Sequence, residues 1–314
     1  MINPEHKIFC LMGPTAAGKT WLAMELTKRL PFDIISVDSG MIYRGMDIGT
    51  AKPTADQLHI APHHLIDICD PKESYSAGQF RYDALQKVQE IFAKGRLPLL
   101  VGGTMLYFRV LQQGISNLPR SNEAVRAKIK SEKDRVGLGA LYLRLQKIDP
   151  KAAARISQTD SQRIQRALEV YELTGKTLSE LQFISPPDVL PYEVVNIIAV
   201  PTDMQSLQRK IKERFKEMLN LGFIDEVRQL YDRGDLNHDL PSMRTVGYRQ
   251  IWQYLSGQVS YEDMLELVHI ATRQLAKRQL TWLRGWNDAK WFDSDDSALI
   301  INVMNLINFR QNSD

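Results

Sequence analysis

KIFCLMGPTAAGKT, residues 7–20, decides the fold class. Its first half, residues 7–12, is a short apolar run that stops at Gly13, as a buried parallel strand does. Its second half fits G-x-x-x-x-G-K-[ST], with Gly13, Pro14, Thr15, Ala16, Ala17, Gly18, Lys19 and Thr20 in order. The two glycines permit a tight turn and a close backbone approach. Successive N–H groups and the N-terminus of the following helix then face an anion. Lys19 supplies a positive point charge, and the Thr20 hydroxyl is a ligand for Mg²⁺. A strand before the motif and a helix after it are the context that separates a phosphate loop from a glycine-rich turn. The motif implies a polyphosphate without saying which one, nor which bond breaks.

Four further runs share the character of the first: DIISVD at 33–38, HLIDIC at 64–69, LPLLVGG at 97–103 and VVNIIAV at 194–200. Helical stretches at 18–30, 77–94 and 104–113 alternate with them. The expectation is an α/β core, a parallel sheet with helices on both faces. Pro-rich punctuation at 116–120 and 185–191 brackets a stretch that reads as helix only, near 121–135, 138–147, 160–173 and 177–183. The spacing predicts a helical insertion at 114–191, set into a core made of 1–113 and 192–314. That core ends in a helical region over 204–220, 222–232, 244–256 and 260–284.

Composition narrows the class further. Hydrophobic residues are 44% and charged residues 25% of 314, which is globular and excludes wholesale disorder. A net charge of +3 is too small to mark a nucleic-acid binder in bulk, so any basic surface is local. Cys10 and Cys69 are the only cysteines, too few for a disulfide framework or a Cys₄ zinc site. No run approaches a membrane span, and the start lacks the apolar core of a signal peptide. The expectation is a soluble cytosolic protein, with no membrane partner.

Ligands of doubly wound sheets bind beyond the carboxyl ends of the strands. The second run ends at Asp38-Ser39 and the fourth at Gly102-Gly103-Thr104, so Lys19, Thr20, Asp38 and Thr104 should surround one cleft. Thr104 serves equally as a helix N-cap; for Asp38 the position favours chemistry over loop ordering. The fourth run ends in glycines rather than the acidic residue of a Walker-type ATPase. Asp38 can still serve, so a nucleoside or nucleotide kinase binding ATP at this loop is the alternative. Asp67 and Asp70 read as loop residues.

Basic and aromatic residues cluster late in the chain. LVHIATRQLAKRQLTWLRGWN, 267–287, has Arg273, Lys277, Arg278 and Arg284 and no acid, with Leu275, Trp282, Leu283 and Trp286 left to face the core. Arg244, Tyr248 and Arg249 stand upstream, and QRIQR occupies 162–166. Singly these are solvated helix faces; together, beside a phosphate loop, they suit RNA. Arg214 has the reach for a bidentate diphosphate contact. His59, His63 and His64 match no zinc spacing and read as loop packing. A non-catalytic RNA-binding module is the third reading, against which the intact Lys19, Thr20 and Asp38 weigh.

GPTAAGKT, with DSGMIYRGMDIGTAKP at 38–53 and PLLVGGTMLYF at 98–108, resembles the tRNA dimethylallyltransferases, also called tRNA isopentenyltransferases. The resemblance runs on through QRIQRALEVYELTGKTLSE at 162–180, RFKEMLNLGFIDEV at 214–227, LPSMRTVGYRQIW at 240–252 and ATRQLAKRQLTWLR at 271–284, and covers about residues 7–293. It implies transfer of a dimethylallyl group from dimethylallyl diphosphate to N6 of the adenosine at tRNA position 37, with Mg²⁺ and release of diphosphate. The phosphate loop then holds a leaving group. Asp38 matches the family's general base. Arg214 joins the phosphate loop, and the RNA contacts map onto Asp38, Ser39, Gly40, Met41, Thr104, Arg126, Gln162, Arg163, Ile164, Gln165, Arg166, Arg244, Thr245, Val246, Gly247, Tyr248 and Arg249. The insertion would grip the anticodon stem-loop. Ala17 stands where the family often has Ser, and no Cys/His zinc finger follows, so the resemblance is to bacterial-type members. A monomer is expected, since no long heptad is visible.

Overall fold

A computed structural model describes residues 6–116, 118, 119, 121–184 and 190–311. Six strands form one sheet: β1 (Lys7–Met12), β2 (Phe32–Val37), β3 (His63–His64), β4 (Leu97–Gly102), β5 (Glu193–Val200) and β6 (Lys290–Asp293). All neighbours pair in parallel, in the order β3-β2-β4-β1-β5-β6. The helices before the insertion are α1 (Lys19–Thr27), α2 (Ala55–Ile60), α3 (Ala77–Ala93) and α4 (Met105–Gln113). Those of the insertion are α5 (Glu123–Ile148), α6 (Pro150–Ala153), α7 (Ser161–Thr174) and α8 (Leu178–Ile184). Then follow α9 (Met204–Asn220), α10 (Phe223–Asp232), α11 (Tyr248–Leu255), α12 (Tyr261–Leu283) and α13 (Leu299–Gln311).

The central strands are mainly apolar because both sheet faces are covered, with Lys7, Ser36 and Asn196 the polar residues buried among them. Phe9 and Leu11 of β1 join Ile34, Leu99, Val101, Ile197 and Ala199 in a core closed by Leu22 and Leu26 of α1 and Val303 and Ile307 of α13. The pleat sends alternate residues, such as Ile8 and Cys10, to the opposite face, where they too are buried. Cys10 is a core thiol that burial pushes up to about 12, so it stays protonated and inert.

The chain divides into two compact units, one made of the stretches up to Gln112 and from Pro191 onward, the other of Gln113–Leu190. The second is helical with its own core of Ile129, Leu141, Tyr142, Leu145, Ile164 and Leu168. The break expected between its first two helices falls at Gly137, whose φ of 82° and ψ of 161° leave the helical region. Of the Pro-rich stretches, Asn117, Arg120 and residues 185–189 lie outside the described residues.

Two expectations need correction, and one strand lies outside every run named above. The run at 64–69 is not a strand: only His63–His64 pairs with β2, because Leu65 and Asp67 take left-handed φ values of 62° and 57° that turn the chain. The helix expected from 244 begins at Tyr248, since 241–247 is a series of turns. KWFD at 290–293, too short and too exposed to stand out, adds the edge strand β6 to β5. No helix among the described residues is long and apolar enough to cross a membrane.

Candidate active site

The phosphate loop joins β1 to α1. Gly18 sits at φ 76° as the N-cap of α1, a conformation that favours glycine. A Cβ on Gly13 would collide with the carbonyl oxygen of Ala199 in the neighbouring β5, so only glycine lets the loop leave the sheet there. The next two strand ends lie alongside. Gly102 of β4 would drive any Cβ into the Val37 carbonyl at the end of β2, so the two strands close directly under the site.

These loops open onto one cavity of about 490 Å³. Its polar floor includes Thr15, Lys19, Thr20, Asp38, Ser39, Thr104 and Arg214. Its other walls carry Met41, Met105, Leu106, Ile211, Phe215, Met218, Phe223, Val268, Leu275 and Trp282. Arg244, Thr245, Val246, Gly247 and Arg278 complete the lining. The lining thus combines cationic and polar groups with apolar side chains.

Asp38 is held by its own backbone: Oδ1 accepts from the N–H of Gly40 at 2.8 Å and of Met41 at 3.4 Å, an Asx turn that leaves the second oxygen for other work. The Thr104 hydroxyl accepts from the Ser39 N–H at 3.0 Å and lies 3.3 Å from the Ser39 hydroxyl. It therefore binds the loop of β2 and is not merely a cap. Lys19 Nζ donates to the Pro14 carbonyl at 2.7 Å. Burial, and then the neighbouring Arg214, push Lys19 down to about 7, with Asp38 opposing. Arg214 is lowered too, by burial, against the pull of Asp38 and Glu217. Two cations pressed together at the cavity floor are unfavourable until an anion enters.

Two residues that sequence reasoning missed hold these loops. Gln279 of α12 accepts from the Thr15 N–H at 2.9 Å and donates to the Gly103 carbonyl at 2.9 Å. Glu226 of α10 accepts from the N–H groups of Asp47, Ile48 and Gly49 at 2.9, 2.7 and 3.1 Å, and from the Tyr248 hydroxyl. A signal existed for both. Gln279 lies four residues after Leu275 and four before Leu283, and Glu226 lies between Phe223 and Leu230, so each is polar on an apolar stripe. Such a residue must find partners inside.

The remaining candidates divide. Arg244 and Arg249 are exposed, and Thr245 stands beside Gly40, where a Cβ would meet its methyl at 3.6 Å. Tyr248 is fully buried, stacked edge-on to Phe223 and bonded to Glu226, so its side chain faces no ligand. Burial and Glu226 also raise its pKa, which keeps the hydroxyl a donor. In the helical unit, Ile164 is likewise core. Arg126 and Arg166 reach the buried Glu169 at 3.0 and 2.9 Å, while Gln162 and Arg163 are exposed and Gln165 is half-buried. His63 donates from Nδ1 to the Ala61 carbonyl at 2.6 Å and lines the cavity, His64 lies 4.0 Å from Asp33, and His59 is exposed on α2. No group of three His, Cys, Asp or Glu able to hold a metal occurs among the described residues.

Comparison with known proteins meets this geometry. The IPP transferase family model matches residues 41–286. A tRNA dimethylallyltransferase of Coxiella burnetii is 56% identical over 306 residues, 98% of each chain. Among solved structures, the full-length tRNA isopentenylpyrophosphate transferase of Bacillus halodurans superposes with a TM-score of 0.71 at 39% identity, over 98% of this chain and 97% of that one. A Staphylococcus epidermidis tRNA isopentenylpyrophosphate transferase gives 0.69 at 31%, over 97% and 99%. A eukaryotic dimethylallyltransferase acting on tRNA gives 0.78 at 24%, over 97% of this chain and 78% of that one, a likeness of fold. By sequence over nearly its whole length and by fold, the chain belongs to the IPP transferase family.

Proposed function

We propose that the cavity performs the reaction of the family, transfer of a dimethylallyl group to tRNA, with Asp38 as general base and the phosphate loop as cradle for the leaving diphosphate. The observation that carries this reading is the make-up of one cavity lining: Lys19, Arg214, Asp38 and Thr104 share it with apolar side chains such as Met105, Ile211, Phe215 and Trp282. Dimethylallyl diphosphate is anionic at its diphosphate and apolar at its allyl group, and a lining of that mixed character suits it.

The acceptor in this reading is N6 of the adenosine at position 37. That amine is a weak nucleophile because its lone pair is delocalised into the ring. As the N6–C1 bond forms and the C1–O bond breaks, the free oxygen of Asp38 takes the N6 proton. Negative charge then gathers on the diphosphate, where Lys19, Arg214 and loop N–H groups stabilise it. Thr104 and the Ser39–Met41 turn hold the base once it has left its stack, at a cost of roughly a few kcal/mol. The Thr20 hydroxyl is a hard oxygen donor in the cavity lining. It suits Mg²⁺, which keeps waters and binds chiefly through substrate phosphates, so no three-acid cluster is needed. When bound, Mg²⁺ neutralises the leaving diphosphate.

In this reading Arg244, Arg249, Arg273, Lys277 and Arg278 are available for phosphate contacts with the tRNA, and the helical unit by itself offers Arg126, Gln162, Arg163, Gln165 and Arg166. We read the protein as a cytoplasmic monomer, for which sedimentation should return one chain mass. The deciding experiment supplies radiolabelled dimethylallyl diphosphate, Mg²⁺ and an unmodified tRNA transcript. Label in the tRNA, absent when position 37 is changed from adenosine, supports the reading. Label absent from all tRNA, with ATP-dependent phosphate transfer in parallel, refutes it in favour of a kinase.

A further inference from the structure

We infer that Gln279 is a positioning residue, whose side-chain amide fixes the spacing between the leaving-group cradle and the loop that presents the acceptor. The inference rests on the reaction proposed above. Gln279 comes from α12, far along the chain from either loop, and is 8% exposed. Both ends of its amide are engaged, and on different loops: Oε1 takes the Thr15 N–H of the phosphate loop, and Nε2 gives to the Gly103 carbonyl after β4. Gly103 is shaped to this contact, since a Cβ there would stand 2.5 Å from Nε2.

From Gly103 the linkage continues through covalent and hydrogen bonds. The next residue, Thr104, accepts the Ser39 N–H at 3.0 Å, and Ser39 follows Asp38. A single chain of short contacts thus runs from the diphosphate cradle through Gln279 to the general base. Transfer needs C1 of the allyl group held near the incoming nitrogen in line with the departing oxygen, and a displacement of about 1 Å can cost about a hundredfold in rate. A glutamine amide accepts from one loop and donates to the other without adding charge.

The test uses Gln279→Met, which keeps length and loses both bonds, and Gln279→Glu. The glutamate still accepts from Thr15 but turns a carboxylate oxygen toward the Gly103 carbonyl. Steady-state kinetics, melting temperature and product analysis are measured on the full chain. Expected are a fall in kcat of about 10–100-fold, a KM for dimethylallyl diphosphate changed less than about threefold, and a melting temperature that falls but stays well above the assay temperature. A slack site also lets water compete for C1: the C1–O bond to diphosphate breaks, a C1–O bond to water forms and the proton goes to solvent. The ratio of dimethylallyl alcohol to prenylated tRNA should therefore rise in both variants. Three results would overturn the inference: kcat within twofold of wild type, a change confined to KM, or a loss that vanishes at a lower temperature where the variant is fully folded. Wild type that makes no prenylated tRNA defeats the underlying reaction instead, and is seen before either variant is made.

Discussion

Binding of an allylic diphosphate should draw a proton from solvent, and more so as pH rises. Lys19 sits at about 7 in the empty site because burial and Arg214 disfavour its charge more than Asp38 restores it. At pH 8 a group with that pKa is about one-eleventh protonated. A diphosphate against the ammonium returns it to the ordinary lysine range. Binding then takes up about 0.9 proton at pH 8, about 0.5 at pH 7 and about 0.1 at pH 6. By linkage the affinity contributed at Lys19 falls almost tenfold per pH unit above pH 8 and is nearly flat below pH 6. Calorimetric titration without tRNA, in two buffers of different ionisation enthalpy, gives the proton count directly. Uptake near zero at pH 8, or uptake that survives in Lys19→Met, would refute the account. The sign for stability is the reverse of the sign for binding. A lysine lowered from 10.5 to about 7 in the fold destabilises the empty protein progressively as pH falls through that interval. Lys19→Met should therefore raise the melting temperature at pH 7 while weakening diphosphate binding.

Asp38→Asn keeps an oxygen for the Gly40 N–H, so the loop should stay folded while kcat drops by about 10²–10⁴; single-turnover rates and melting curves check both halves. Gly13→Ala forces the loop away from Ala199, and should abolish diphosphate binding by calorimetry while circular dichroism stays near wild type. Glu169 is pushed up by burial but held below the ordinary carboxylate range by Arg166, the Asn122 N–H and Arg126. Its contribution is present above the ordinary glutamate pKa and is lost as pH falls through its own lower one. Glu169→Gln should cost the helical unit about 1–3 kcal/mol at pH 7 by denaturant titration, a difference that shrinks toward acid.

How much was legible follows from what each feature depends on. The phosphate loop is local: Gly13 to Thr20 is a contiguous pattern whose glycines, lysine and hydroxyl act through backbone geometry that eight residues fully specify. The β1, β2, β4 and β5 runs are local too, because a strand buried on both faces is apolar at most positions rather than at alternate ones. Asp38 and Thr104 could be placed at one cleft from topology alone, since parallel strands deliver their carboxyl ends to the same edge.

The rest depended on partners distant in the chain. KWFD is a strand only because β5 lends it an edge, and LIDIC fails to be one because Leu65 and Asp67 turn left-handed. Tyr248 and Ile164 sit in segments with RNA-binding character, yet packing turns both into core, against Phe223 and within the helical bundle. Gln279 and Glu226 lie inside stretches that carry the family resemblance, yet no local spacing marks out what either does. Their roles come from meeting backbone N–H groups some 264 and 177 to 179 residues away. Sequence alone determined that this chain carries a phosphate cradle, because the cradle is built from neighbouring residues, while the bond it serves was pointed to by the family resemblance of many separate stretches. Only the tertiary structure decided what holds that chemistry in register, because a hydrogen bond between loops belongs to no one stretch of sequence.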